Sequence, residues 1–242
     1  MIRPVPGGHL ILGGMIEGGS LKHRLMDALL EEADLPAGSL VADLSAGSGA
    51  LALAQTARRR KLSCRVYVTE TAPAEAVAAM REAEAEVRLC PPTMEALTGA
   101  LTELALGHRD KEFYWTRQNY QTYDAYRGLA EGLSAGRPDH LVAGVGTGSS
   151  LCSFGRFFRE RNPSLKVHAI LSSNLGGLRP PGMTLDFAGL RDVGSPEALR
   201  GLFGDQLQTY TLSRQHHADS TQAVLHVMQG LQNAVGISID GR

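Results

Sequence analysis

His140-Leu141-Val142-Ala143-Gly144-Val145-Gly146-Thr147-Gly148-Ser149-Ser150 begins as an apolar run of strand length and ends in glycines and hydroxyls. The run His140–Val145 predicts a buried strand, and Ser150–Arg161 beyond it predicts an amphipathic helix. A strand that passes to a helix through Gly146, Thr147, Gly148, Ser149 and Ser150 puts backbone N–H groups and hydroxyls at a helix N-terminus. A phosphate dianion is well held there, by unpaired N–H donors and by the helix dipole. The alternative is a tight turn that binds nothing. No lysine follows the glycines, so the loop is not of the ATP-binding Walker type.

The same alternation extends in both directions. Ser39–Leu44, Cys64–Thr69, Glu86–Cys90 and Lys166–Leu171 read as further buried strands rich in Val, Leu and Ile. Leu21–Ala33, Ala50–Arg60, Pro73–Ala83, Met94–Leu106, Tyr120–Leu133 and Ala218–Leu231 read as amphipathic helices between or beyond them. Strands alternating with helices predict an α/β fold with mostly parallel, twisted sheets covered by helices on both faces. Polar and aromatic residues near Arg117–Thr122 separate two βα series, which predicts two αβα domains, residues 1–118 and 119–242. Ser172–Gly194, rich in Gly and Pro, is expected to be a long ordered loop.

A second chemical signal lies far upstream. Lys22 follows Gly18-Gly19-Ser20 at the start of a predicted helix. Glycines allow a sharp turn, Ser20 is a good N-cap, and the positive end of the helix dipole favours a neutral amine. A nucleophilic or imine-forming lysine needs that neutral form; the competing reading is an ordinary solvated lysine. A lysine at a helix start together with a phosphate-type loop is the equipment needed to hold pyridoxal phosphate, provided both serve one site. Ser45-Ala46-Gly47-Ser48-Gly49-Ala50 follows another strand and opens another helix. It reads as a second anion site suited to a carboxylate, as a plain turn, or, with Asp43 at the strand end, as a nucleoside-cofactor loop.

Composition excludes several classes. A formal net charge of −1 over 242 residues offers no basic surface for nucleic acid or for an anionic membrane. The three widely spaced cysteines, Cys64, Cys90 and Cys152, form no CxxC pair, so no zinc site or disulfide framework is expected. No apolar run is long enough to span a bilayer and the N-terminus is unlike a signal peptide, so a cytoplasmic location is expected.

Taken together, these segments resemble the cysteine synthase family of pyridoxal phosphate enzymes, the β-family or fold type II, in one order along nearly the whole chain. Gly18–Arg24 is similar to the family's PGGSxKxR segment, which makes Lys22 the Schiff-base lysine by resemblance. Ala46–Ala54 stands where the family has SGNTGIALA, the loop that grips the substrate carboxylate; the resemblance assigns Ser45, Gly47, Ser48 and Gly49 to it. Val68–Cys90 is similar to the strand, helix and GAEVVL strand that follow. Gln118 stands where the family has a carboxylate-contacting glutamine. Val142–Ser150 is nearly identical to the VAGVGTGGT phosphate loop, Leu185–Leu190 is similar to the approach to the IQGIG turn, and Val235–Ser238 matches the start of GISSG. Ser238 would then meet the pyridine nitrogen.

Three departures stand out. The family's loop asparagine is Ser48 here, or Gly47 if the alignment slips by one; the family's usual first strand is not evident before Lys22; and the sequence ends four residues after Ser238. The last suggests a homodimer, or a partner chain that covers the C-terminal region. The resemblance implies β-elimination and β-replacement on an activated serine or cysteine-type amino acid, with no metal. A serine hydroxyl at the ring nitrogen would leave that nitrogen unprotonated, which suits elimination better than transamination. Two alternatives are set against it: a non-catalytic relative that completes another enzyme, and a nucleoside-cofactor transferase built on Asp43.

Overall fold

The structure, a computed structural model, describes residues 2–15, 19–45, 48–118, 123–132, 137–145, 148–172, 196–212 and 220–238. The described residues divide into two compact units. One holds those of Lys22–Gln118; the other holds those of Met1–Leu21 and those that follow Gln118. The chain therefore passes from one unit to the other at Leu21/Lys22 and again at Gln118/Asn119. The N-terminal arm groups with the residues that follow Gln118.

The Lys22–Gln118 unit is built on four parallel strands, β3 (Leu40–Leu44), β4 (Ser63–Thr69), β5 (Glu86–Cys90) and β6 (Tyr114–Trp115), in the order β5-β4-β3-β6. Helix α2 (Ser48–Arg59) packs on β3 and β4, α3 (Ala74–Glu82) on α2 and β5, and α4 (Met94–Arg109) on β3, β5 and β6. β3 and β4 are buried on both faces, which is why they read as apolar runs, whereas β5, expected to be buried, is an edge strand with Glu86 and Leu89 exposed. Ala42, Tyr67, Ala100, Leu104 and Phe113 form the core under α4. Helix α1 (Leu21–Ala33) is tied to α2 by polar contacts one turn apart, so the two run in the same direction where they meet. His23 Nε2 lies 2.7 Å from Gln55 Oε1, and Arg59 donates to both Asp27 carboxylate oxygens at 2.9 and 3.0 Å.

The other unit contains a six-stranded sheet in the order β1-β2-β10-β7-β8-β9. These are β1 (Ile2–Val5), β2 (Gly8–Leu12), β7 (His140–Gly144), β8 (Lys166–Ser172), β9 (Leu207–Leu212) and β10 (Ala234–Ser238). Only β1 is antiparallel to its neighbour. Helix α8 (Ser220–Met228) covers the face bearing Leu10, Leu12, Val142 and Ile170. Helices α6 (Ser149–Arg161) and α7 (Pro196–Phe203) pack on the face bearing Leu141. Helix α5 (Tyr123–Gly132) packs against α6, with Tyr126 stacked on Phe154 at 5.6 Å.

The α/β architecture with mostly parallel sheets is therefore as the alternation predicts. The N-terminal arm departs from expectation. Ile2–Val5 and Gly8–Leu12 are strands, and β2 pairs in parallel with β10 from Ala234↔Gly8 to Ser238↔Leu12. The segment expected as the long loop lies outside the described residues from Ser173 to Gly194, Leu185–Leu190 included.

Candidate active site

Both sheets place the candidate residues at the carboxyl ends of parallel strands where the strand order reverses. In the Lys22–Gln118 unit the chain runs outward through β3, β4 and β5 and returns with β6 on the other side of β3. In the other unit it runs outward through β7, β8 and β9 and returns with β10 on the other side of β7. Such reversals open a crevice beyond the strand ends, and ligands of open α/β sheets bind there. The Ser45–Gly49 turn follows β3 and Gln118 follows β6, so they share the first reversal. The loop after β7 and Ser238 at the end of β10 share the second.

At the first reversal the geometry is well defined. Gln118 is 2% exposed, and its Nε2 is buried with no hydrogen-bond partner among the described residues. Its carboxamide lies over Gly49 and beside Ser45: a Cβ placed on Gly49 would fall 2.6 Å from Gln118 Nε2 and 2.7 Å from Ser45 Oγ. Ser48 and Gly49 open α2, so their end of the helix carries N–H donors with no intrahelical acceptor. A buried amide donor, a hydroxyl and a helix N-terminus facing one another form an anion-binding set, suited to a carboxylate. Ser48 is exposed at its rim. Gly47 lies outside the described residues.

Asp43 fixes this arrangement from behind. One carboxylate oxygen accepts from Leu44 N at 2.7 Å and Trp115 Nε1 at 3.1 Å; the other accepts from the Thr116 hydroxyl and, at 3.4 Å, from Gln118 N. Burial pushes its carboxyl above the ordinary aspartate value, and the four hydrogen bonds pull against that shift. Asp43 thus joins β3 to the segment that carries Gln118. It is occupied within the fold, and this leaves the nucleoside-cofactor reading without its acid. Sequence reasoning singled out Asp43 for another task, and it missed Trp115 and Thr116. An aspartate closing an apolar strand was the available signal.

Lys22 lies in the first turn of α1, with Nζ buried. Ser20 before it is buried and Gly19 has φ +87°. Gly18 lies outside the described residues. Its neighbour His23 is held by Gln55, so the start of α1 is anchored in the Lys22–Gln118 unit.

At the second reversal Gly148 is the N-cap of α6, at φ +78°, a left-handed conformation that favours glycine. With no side chain on the cap, the first-turn N–H groups of α6 are left for another acceptor. Ser150 and Ser153 behind them are buried, and Val145 N donates to Ile170 O at 2.9 Å to close the strand end. Gly146 and Thr147 lie outside the described residues, and the Ser149 side chain with them. Ser238 is fully buried, with its hydroxyl 2.9 Å from that of Thr221 at the start of α8. Thr221 carried no signal in the sequence, because the approach to α8 is polar and irregular.

Residues 13–182 match the family described as pyridoxal-phosphate dependent enzyme. The chain belongs to that family. Its cofactor is pyridoxal phosphate, and each unit carries groups of the kinds it needs: a buried primary amine in the Lys22–Gln118 unit, and in the other an uncapped helix N-terminus after a left-handed glycine and a buried serine hydroxyl at the end of the neighbouring strand. The O-acetylserine dependent cystathionine beta-synthase of Bacillus subtilis (strain 168) is 26% identical over 212 residues, covering 81% of this chain and 67% of that protein. Two solved structures share the fold. A hydrogen sulfide-producing enzyme from Fusobacterium nucleatum has a TM-score of 0.75 at 18% identity, covering 97% of this chain and 91% of that one. O-acetylserine dependent cystathionine beta-synthase from Helicobacter pylori has 0.71 at 21% identity, covering 97% and 87%. Among the described residues no helix is long and apolar enough to cross a membrane, and no group of His, Cys, Asp and Glu is arranged to hold a metal ion.

Proposed function

We propose that this enzyme carries out β-elimination and β-replacement on an activated serine or cysteine-type amino acid. The observation that carries the reading is the buried Gln118 carboxamide facing the N-terminus of α2 beside Ser45, an arrangement made for the carboxylate of a small amino acid. The B. subtilis relative supports a serine ester as donor.

Pyridoxal phosphate, when bound, draws electrons from the substrate Cα, so that the Cα proton and a leaving group on Cβ can both depart. Lys22 would supply the amine that holds the cofactor, and the same amine would move the proton at the substrate Cα. Gly146, Thr147, Gly148, Ser149 and Ser150 hold the phosphate through backbone N–H groups and hydroxyls. Ser238 would offer the ring nitrogen a hydrogen bond from its hydroxyl while keeping its proton, and Thr221 orients that hydroxyl. Ser45, Gly47, Ser48, Gly49 and Gln118 hold the substrate carboxylate. A neutral serine at the ring nitrogen favours prompt loss of the leaving group over transamination.

Borohydride reduction of the yellow protein followed by peptide mapping should place the pyridoxyl group on Lys22; a label on another lysine sinks the assignment. Assays with O-acetylserine, O-phosphoserine and cysteine as donors, and sulfide or a thiol as nucleophile, test the reaction. Products of transamination alone would overturn it. A homodimer, or a partner chain against the C-terminal region, is part of the same proposal; it is supported by the pairing usual in the cysteine synthase family. A monodisperse monomer by light scattering, active at high dilution, would remove it.

A further inference from the structure

Lys22 and the carboxylate set belong to one unit but stand on different helices: Lys22 lies in the first turn of α1, and Ser48 and Gly49 open α2. A ladder of polar contacts joins the two helices. Its rungs leave α1 at His23, Asp27 and Glu31, about one turn apart, and meet α2 at Gln55 and Arg59 and, just beyond its end, at Arg60. The rungs differ in worth. Asp27, Glu31, Arg59 and Arg60 are each about a third or more exposed, and ion pairs in that setting contribute little. His23 is 2% exposed, and its Nε2 lies 2.7 Å from Oε1 of the half-buried Gln55. A carboxamide oxygen only accepts, so His23 Nε2 carries the proton and donates. Around His23, α1 buries Leu21, Leu25, Met26, Leu29 and Leu30. Apolar side chains tolerate a small slip, because one contact replaces another. The His23 hydrogen bond does not, because any other register leaves a buried imidazole N–H without its acceptor. Single buried polar residues fix the register of coiled-coil helices in this way, at a cost in stability.

We infer that His23 is a positioning residue: its hydrogen bond to Gln55 sets the register of α1 on α2, and with it the depth at which the Lys22 amine stands relative to the carboxylate set. A helix rises about 1.5 Å per residue, so a slip of part of a residue moves the adjacent lysine by about an ångström. A misplacement of that size at reacting groups slows a reaction by about a hundredfold. The inference rests on the reading above that the Lys22 amine holds the cofactor and moves the proton at the substrate Cα.

The test compares wild type with His23→Gln, His23→Leu and the double variant His23→Leu/Gln55→Leu. Glutamine keeps a side-chain N–H donor at the reach of the imidazole Nε2, and leucine keeps none. The double variant removes both polar partners together, a change that is close to neutral for stability, so it should melt no lower than wild type. Two readouts follow the lysine. In the cofactor-free proteins, acylation of Lys22 read by peptide mapping reports the place of its buried amine, with Lys61, Lys111 and Lys166 as internal controls. In the proteins loaded with pyridoxal phosphate, kcat and KM are measured with whichever of O-acetylserine, O-phosphoserine and cysteine wild type uses best. Both leucine variants should acylate Lys22 several-fold faster, with the control lysines unchanged. Their kcat should fall roughly ten- to a hundredfold, with KM little altered because Ser45, Gly49 and Gln118 are untouched. His23→Gln should behave as wild type in both readouts. Unchanged kcat and labelling in the double variant, or equal losses in His23→Gln, would overturn the inference. If a leucine variant misfolds, His23→Asn, whose amide falls short of Gln55, decides in its place: it should show the same losses, and wild-type behaviour would overturn the inference. If borohydride reduction places no label on Lys22, or no donor is turned over, the cofactor or reaction reading fails separately. Acylation of Lys22 in the cofactor-free proteins then still decides whether His23 fixes the place of that amine.

Discussion

Asp43 buries a carboxylate at the point where β3 meets the segment bearing Gln118, and every one of its described partners lies within the fold. Asparagine at this position is nearly isosteric but carries a donor where Gln118 N–H needs an acceptor. Asp43→Asn should therefore loosen Gln118 and raise KM for the amino acid several-fold, while violet absorbance on cofactor addition stays; an unchanged KM would show that Asp43 only stabilises the fold. Because burial raises the folded pKa, stability associated with Asp43 is fully present below the unfolded value near 3.8 and declines as pH rises through the folded one. The asparagine variant should lack that decline. Gly148 is a second residue with a separable role. Gly148→Val forces a β-branched side chain into the left-handed region, at roughly 1–3 kcal/mol, whereas Gly148→Asn tolerates it. If a side chain blocks close approach of the phosphate, both variants should bind pyridoxal phosphate more weakly, and only the valine variant should melt clearly lower. Ser45, Ser48, Gly49, Gly148 and Ser150 were legible in the sequence because strand, glycine turn and helix follow one another locally. The bracing role of Asp43 was not, since Trp115, its indole partner, lies 72 residues away.

At the scale of elements, three adjacent strands are linked by a chain of polar side chains on the face covered by α8. His140 Nδ1 of β7 lies 2.9 Å from His168 Nε2 of β8, and His168 Nδ1 lies 3.0 Å from the Tyr210 hydroxyl of β9, which donates to Gln208. His168 is 2% exposed; burial, then His140 and Lys166, pull its pKa down to about 4. Burial first, then Lys166, lowers His140 as well. A folded pKa below the unfolded one means that, from about 6.5 downward, the unfolded chain takes a proton that the folded chain refuses. Stability should fall as pH drops from 6.5 toward 4. Melting curves should show the loss, on the order of a few degrees, and His168→Gln should flatten that part of the wild-type profile. An identical profile in the variant would assign the acid sensitivity elsewhere. The five long apolar runs and most amphipathic helices were legible because period and burial agree. β6 has two residues, β9 is an alternating edge strand, and β10 is short and rich in small residues, so none offers a clear pattern. The β1–β2 hairpin was obscured by Pro4, Pro6, Gly7 and Gly8, which read as a loop.

At the scale of the whole molecule, the chain begins in one unit, builds the other from Lys22 to Gln118, and then returns to the first. Alternation along the sequence reveals the two sheets but not this return, because a pairing between residues near position 10 and residues near position 236 leaves no local trace. The consequence is that the N-terminal arm supports the C-terminal site. β2 lies in parallel against β10 along its whole length, with Leu12 opposite Ser238, and Leu10 and Leu12 are buried beneath α8. Removing residues 1–12 would expose one edge of β10 and unpack part of that core, while leaving the sheet of β3 to β6 with all its own neighbours. Hydrogen exchange should then speed up in Ala234–Ser238 and in α8, and stay protected in β3, β4 and β5. Affinity for pyridoxal phosphate should fall, because Ser238 and Thr221 lose the strand that backs them. Equal loss of protection in both units would show that they unfold as one, and unchanged exchange in Ala234–Ser238 would show that β2 contributes nothing to the site.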